Sequence, residues 1–142
     1  MKLFQIEEPE GSPLESDGPG AAVGIDLAGA VAISAGGNPE LLRGRDGIVW
    51  SEPGEVATLL GTLKARAEQA LARPVTHAVI AGDTADAAAI ERAAASVGLA
   101  VLRLIPRAEA AALVRGVEAK AAPALGAAVL AEDLASAAAP SR

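Results

Sequence analysis

"VGIDLAGAVAIS", residues 23–34, is the stretch whose reading decides the fold. Residues 21–27, "AAVGIDL", are short, apolar and entered from Pro19-Gly20, which predicts a buried strand. "AVAIS" predicts a second strand, and Ala28-Gly29 between them predicts a tight turn. The first strand thus carries one carboxylate, Asp26, into a turn whose backbone N–H groups can meet an anion. The turn itself, Ala28-Gly29-Ala30, has no hydroxyl with which to grip a phosphate or a metal.

Downstream, "AGGNPE" is expected to turn, "LLRG" to return as a third strand and "GIVW" to extend the sheet. Pro53 suits a first helical turn. Val56, Leu59, Leu60, Leu63, Ala67, Ala70 and Leu71 then follow helical spacing, with Lys64, Arg66, Glu68 and Arg73 on the other face or at the end. "HAVIAG" predicts the next strand. Asp83 and Thr84 suit a helix N-cap, and Gly98 suits a stop after Val97. "LAVLRLI" predicts another strand, followed by a helix from Pro106 to Arg115 that Gly116 ends. "VEAKAAP" predicts a linker and "ALGAAVLAEDLASA" a last helix.

The resulting order, β-β-β-α-β-α-β-α-α, predicts an α/β domain. Its mixed sheet has about five strands, begins as a meander and is covered by helices. The domain is expected over residues 21–136. Residues 1–20 are expected to form a flexible arm, because "EEPEGSPLESDGPG" is acidic and rich in Pro and Gly; residues 137–142 are expected to fray.

Composition narrows the function classes. Half of the chain is apolar, yet Phe4 and Trp50 are its only aromatic residues, so the core must pack small side chains closely. The net charge of −6 argues against a nucleic-acid partner, which needs a basic footprint. No cysteine is present, so thiolate chemistry and Cys-based metal sites are excluded. The opening "MKLFQIEEPEGS" lacks a signal-like apolar run and no stretch is long enough to span a membrane, which makes the cytoplasm the expected location.

Several segments, in order, resemble the 70-kDa heat-shock chaperones (the DnaK/HscA-like proteins), a branch of the actin-like ATPases. "AVGIDL" is similar to their phosphate-1 strand, and "LKARAEQALARPVTHAVIAGD" to a helix-then-strand segment. "AAASVGLAVLRLIPRAEAAALVRG" resembles the connect-1 segment and "ALGAAVLAEDL" the connect-2 segment. "LFQIEEPEGSP" resembles the opening of the HscA branch, which serves iron–sulfur cluster assembly. The resemblance implies a ribonuclease-H-like, actin-like ATPase fold reduced to lobe I. The lobe-I insertion would be missing after Trp50-Ser51, the second lobe would be replaced by "VEAKAAP", and no substrate-binding domain would follow.

The same resemblance implies a nucleotide-site remnant at Gly24, Asp26, Leu27, Ala28 and Gly29, with Asp26 reaching a metal through water. The family's hydroxyl ligands are absent from the turn, its catalytic lysine belongs to the missing insertion, and Arg107 stands where it has a metal-linked glutamate. No catalytic residue is therefore assigned, no cofactor is expected to be required, and Mg–ATP is expected to bind weakly or not at all. A nucleoside triphosphate needs positioning and charge neutralisation from both sides of a cleft.

Other polar residues have plainer readings. Asp26 itself suits a hydrogen bond to turn amides. His77 is the only histidine and is expected to be structural or exposed. Asp83 and Asp86 suit capping, Glu132 and Asp133 a solvated helix face. Arg107 and Arg115 are expected to pair with Glu109 or Glu118, or to form a small basic spot. Trp50 is expected in the core or at an interface.

Loss of a covering lobe is expected to expose Leu104, Ala110, Leu113 and Leu125, with Leu104, Leu113 and Leu125 as interface residues of a homodimer. Two functions follow from the resemblance. One is a non-hydrolysing accessory whose partners are a co-chaperone, an iron–sulfur scaffold or a full-length chaperone. The other is an ATP-binding ATPase module completed by dimerisation. A relic with a stable fold and no selected activity is the third reading.

Overall fold

A computed structural model of the chain describes residues 20–52, 54–82 and 86–138. Five strands form one sheet in the order β3-β2-β1-β4-β5. β1 (Ala21–Asp26), β2 (Ala30–Ala35) and β3 (Asn38–Leu41) make an antiparallel meander. β1 then pairs in parallel with β4 (Val75–Ala81), and β4 with β5 (Ala100–Ile105). Each parallel step needs a helical crossover, and these are α1 (Val56–Leu71) and α2 (Ala87–Ser96). Two further helices follow, α3 (Arg107–Ala111) and α4 (Ala122–Ala138). This is the expected mixed α/β sheet of ribonuclease-H-like, actin-like type.

α1 forms where apolar residues recur on one stripe, and Leu59, Leu60, Leu63 and Ala67 are buried on it. They pack on Val23, Ile25, Val31 and Ile80 of the sheet, together with Ile90 and Ala94 of α2. The opposite face is covered by α4, whose residues Ala124, Leu125, Ala127, Ala128 and Ala131 are all buried. A Cβ on Gly24 of β1 would fall on the backbone of Ala127 and Ala128. One on Gly126 would fall on the carbonyl of Ala110 in α3. Glycine at these two positions is what lets α4 touch both the sheet and α3.

Several local expectations are corrected. β3 starts at Asn38, because the Gly36-Gly37 turn is tight and both glycines have positive φ, 62° and 81°. "GIVW" does not extend the sheet. Arg66 of α1 donates to the Val49 carbonyl at 2.8 Å and to the Ser51 hydroxyl at 2.7 Å, pulling that segment towards the helix. α3 ends at Ala111 rather than Arg115, and α4 begins at Ala122, inside the expected linker. Asp86 caps α2 as expected, accepting from the Ala89 N–H at 3.0 Å. Pro53, Asp83, Thr84, the arm up to Pro19 and residues 139–142 lie outside the described residues.

The expectation of an exposed apolar face is also corrected in part. Leu125 and Ala110 are buried within the chain by the contact of α4 with the sheet and α3. Leu104 is half-buried against the α1-side core, and only Leu113, 46% exposed, is open to solvent. Trp50 is half-buried against Leu125 and its alanine neighbours, with the Lys120 ammonium 4.3 Å from its ring centre.

Candidate functional site

Asp26 ends β1, the middle strand, so its side chain emerges where the parallel strands present their carboxyl ends. In open α/β sheets ligands bind in that crevice. Asp26 is completely buried. Its neighbours across the sheet end are Ala81-Gly82 at the end of β4 and Ile105-Pro106 at the end of β5. A Cβ on Gly82 would meet the Leu27 side chain at 2.5 Å, so glycine there leaves room for the turn.

In the structure the turn is Leu27-Ala28-Gly29, and all three of its N–H groups have partners inside the protein. Leu27 N–H donates to the Ala81 carbonyl at 2.9 Å, extending the β1–β4 ladder by one residue. Ala28 N–H donates to Asp26 Oδ1 at 2.9 Å, and Gly29 N–H to the Asp26 carbonyl at 2.8 Å. Gly29 has φ 123°, and its own carbonyl accepts from Ser51 N–H at 2.8 Å. The backbone donors that sequence alone left available to an anion thus close the turn on itself.

The carboxylate is equally engaged. Arg107, the first residue of α3, folds back over the strand end. Its Nε donates to Asp26 Oδ1 at 2.8 Å and a terminal nitrogen donates to Oδ2 at 3.1 Å. The pair is bidentate, the geometry in which guanidinium and carboxylate bind most specifically. It joins residues 81 positions apart, a pairing other than the expected ones with Glu109 or Glu118.

The arrangement can hold α3 against the end of β1. The residues present do not fit a metal-bound phosphate. A divalent cation at Asp26 would share both oxygens with a guanidinium, and a phosphate would find no turn N–H directed at it. Gly24, named with this site in the sequence, lies under α4 rather than beside the carboxylate. The structure therefore brings together Asp26, Leu27, Ala28 and Gly29 and adds Arg107. The signal for that addition was the basic residue in place of the family's glutamate.

The remaining polar candidates stand elsewhere. His77 Nδ1 lies 2.7 Å from the Thr76 hydroxyl. Among the described residues no group of three or more His, Cys, Asp or Glu is placed to hold a metal ion. No described helix is long and apolar enough to cross a membrane. Glu132 is not a merely solvated residue. It accepts from the Ser34 hydroxyl at 2.8 Å and from the N–H groups of Gly36 and Gly37, tying α4 to the β2–β3 turn. Those donors, led by the Gly37 N–H, hold its carboxyl below the usual value of 4.5.

A family model described as Hsp70 protein matches residues 29–137, from the end of the first turn to within one residue of the end of α4, and leaves β1 outside. No curated protein matches the chain.

Proposed function

The chain belongs to the Hsp70 family of chaperones, and on that premise we propose that it is a non-hydrolysing accessory that acts by protein–protein contact. The observation that carries the reading is the closed strand end. Both oxygens of Asp26 are held by Arg107, and all three turn N–H groups have internal partners. Phosphoryl transfer depends on positioning and charge neutralisation, and in this chain the charge at Asp26 is already neutralised from within.

Two parts of the reading rest on the sequence resemblance. The connect-1-like and connect-2-like segments, α3 and α4, follow each other directly, which supports a chain reduced to one lobe. The HscA-like opening supports a partner in iron–sulfur cluster assembly, either a scaffold, a co-chaperone or a complete chaperone. Leu113 and Val117, 46% and 38% exposed between α3 and α4, are the apolar side chains available there to such a contact or to a second copy.

Calorimetric titration of Mg–ATP and Mg–ADP, beside Asp26→Ala, tests the proposal. The expected result is no saturable heat at millimolar nucleotide. Co-purification with a J-domain co-chaperone or scaffold should not change with ATP. Saturable binding that is lost in Asp26→Ala overturns the accessory reading in favour of an ATP-binding module completed by dimerisation.

A further inference from the structure

An open groove of about 500 Å³ runs along α1 beside the loop after β3, and Asp26 is not part of it. Arg45, Asp46, Thr62, Ala65, Arg66 and Gln69 line it. A second depression of about 350 Å³, lined by Glu68, Ala72, Arg73 and Pro74, lies at the C-terminal end of the same helix. Thr62, Ala65, Arg66 and Gln69 are neighbours at three- and four-residue spacing on one stripe of α1, and Arg73 follows just past the helix's C-terminal end.

The groove and the depression together carry three arginines, Arg45, Arg66 and Arg73, against two carboxylates, Asp46 and Glu68, in a chain whose net charge is −6. Among the described residues no carboxylate pairs with Arg45, Arg66 or Arg73. The donors of Arg66 go to neutral oxygens, the Val49 carbonyl and the Ser51 hydroxyl. The two acids nearby are engaged: Asp46 accepts from Ile48 N–H at 2.9 Å, and Glu68 bonds Lys64 and Val75 N–H, both at 3.0 Å.

The chain enters the sheet at the Pro74 end of this stripe, where Ala21 N–H donates to the Pro74 carbonyl at 2.9 Å. The sequence just before that entry, "EEPEGSPLESD" at 7–17, carries Glu7, Glu8, Glu10, Glu15 and Asp17 and no basic residue. From Ala72 back to Thr62, α1 rises about 15 Å. An extended chain covers about 3.3 Å per residue, which puts Asp17 about 10 Å and Glu15 about 17 Å from Gly20. Both acids therefore have the reach to meet the stripe. Pro9, Pro13 and Pro19 favour an extended backbone, which lowers the entropy lost on docking.

We propose that the groove along α1 is an acidic-peptide site and that its occupant is the chain's own segment 7–17, with Asp17 and Glu15 set against Arg73, Arg66 and Arg45. The contact rests on charge and reach alone and does not depend on the chaperone reading. An acidic partner segment would have to displace the arm to use the groove.

The absence of cysteine among the 142 residues gives a clean test, because Ser16→Cys in this chain takes a single nitroxide label. The readout is paramagnetic broadening of backbone amides. The expected result is broadening over Thr62–Gln69 in low salt, falling several-fold in about 1 M NaCl, where the screening length is about 3 Å. It should fall likewise in Arg45→Glu/Arg73→Glu and return when Glu15→Lys and Asp17→Lys are added. Broadening that stays at Ala72–Pro74 and ignores salt would mean a tether without a site, and overturns the proposal. So does broadening that passes, in a mixed sample, from labelled chains to the amides of unlabelled copies, since the occupant would then be a second molecule.

Discussion

The two faces of the sheet are packed in opposite ways. On the α1 side branched side chains fill the space: Val23, Ile25, Leu60, Leu63 and Ile80 are all fully buried. On the α4 side small groups predominate: Ala30, Ala32, Ala124, Ala127 and Ala128 sit beside the larger Leu125, Val79 and Ile105, with Gly24 and Gly126 at the closest points. One face buries area by bulk and the other by proximity. The difference sets which substitutions each face tolerates. The first should be sensitive to losing atoms and the second to gaining them.

The largest expected effect is on the bulky face. Leu60→Ala should destabilise by about 2–5 kcal/mol, read as a lowered midpoint in chemical denaturation, because the cavity it leaves is only partly refilled. On the other face a single added methyl should nearly match it. Gly24→Ala and Gly126→Ala place a carbon on backbone atoms that have no side-chain freedom to yield, so each should sit at the upper end of the roughly 1–3 kcal/mol of overpacking. Ala128→Gly, which removes a methyl from the same contact, should cost less than either. If Gly24→Ala were neutral, the close approach of α4 would not be the organising feature claimed for it.

A third prediction concerns the end of the sheet. Arg107→Ala leaves a buried carboxylate with one backbone donor, and should cost about 1–3 kcal/mol. Asp26→Asn alone should cost less, since an amide carries no charge to compensate. The double variant should be less destabilised than the sum, and the coupling measures the pair. Additive effects would mean that the pair adds nothing to the attachment of α3.

These contrasts mark what the sequence disclosed. The bulky face was legible because its spacing is periodic: Leu59, Leu60, Leu63 and Ala67 announce α1, and short apolar runs announce the strands. The close face was not. Alanine and glycine give "ALGAAVLAEDL" no moment to read, so neither its burial nor its role as the floor under Gly24 could be derived from pattern. The same holds for long-range polar pairs. Asp26 was visible as a site residue, but its bond to Arg107 spans 81 positions, and that of Ser34 to Glu132 spans 98. "GIVW" misled because its hydropathy is that of a strand, while its course is set by Arg66 from outside the segment.

Glu132 lets the close face be loosened by protons rather than by mutation. Its folded carboxyl titrates below the usual 4.5, chiefly because the Gly37 N–H, the Ser34 hydroxyl and the Gly36 N–H bind the charged form. A depressed carboxyl contributes stability above the unfolded value and loses it as pH falls through the folded one. Thermal midpoints of the native chain should therefore drop between about pH 4.5 and the lower folded value. In Glu132→Gln that drop should be smaller. It should not vanish, because Glu68 is also lowered: burial raises it, but the Val75 N–H and Lys64 together outweigh that. Unchanged pH profiles would mean that the α4–hairpin tie is solvated away in solution.

The smallest effect carries the comparison into the backbone. Glycine occupies the points on the α4 side where space is short, yet the C-terminal cap of α1, on the other side, is an alanine. Ala72 has φ 56° and ψ 40°, and its N–H donates to the Glu68 carbonyl at 2.8 Å. The left-handed conformation is unfavourable for any residue with a Cβ, and helices commonly place glycine there. Ala72→Gly should therefore stabilise, by about 0.5–1 kcal/mol. That is less than the left-handed strain it relieves, because glycine also gains freedom in the unfolded chain. The gain should appear as a higher denaturation midpoint with an unchanged slope. A loss instead would mean that the Ala72 methyl packs usefully at the end of α1. The rule that side chains on that face resist removal would then reach even its most strained residue.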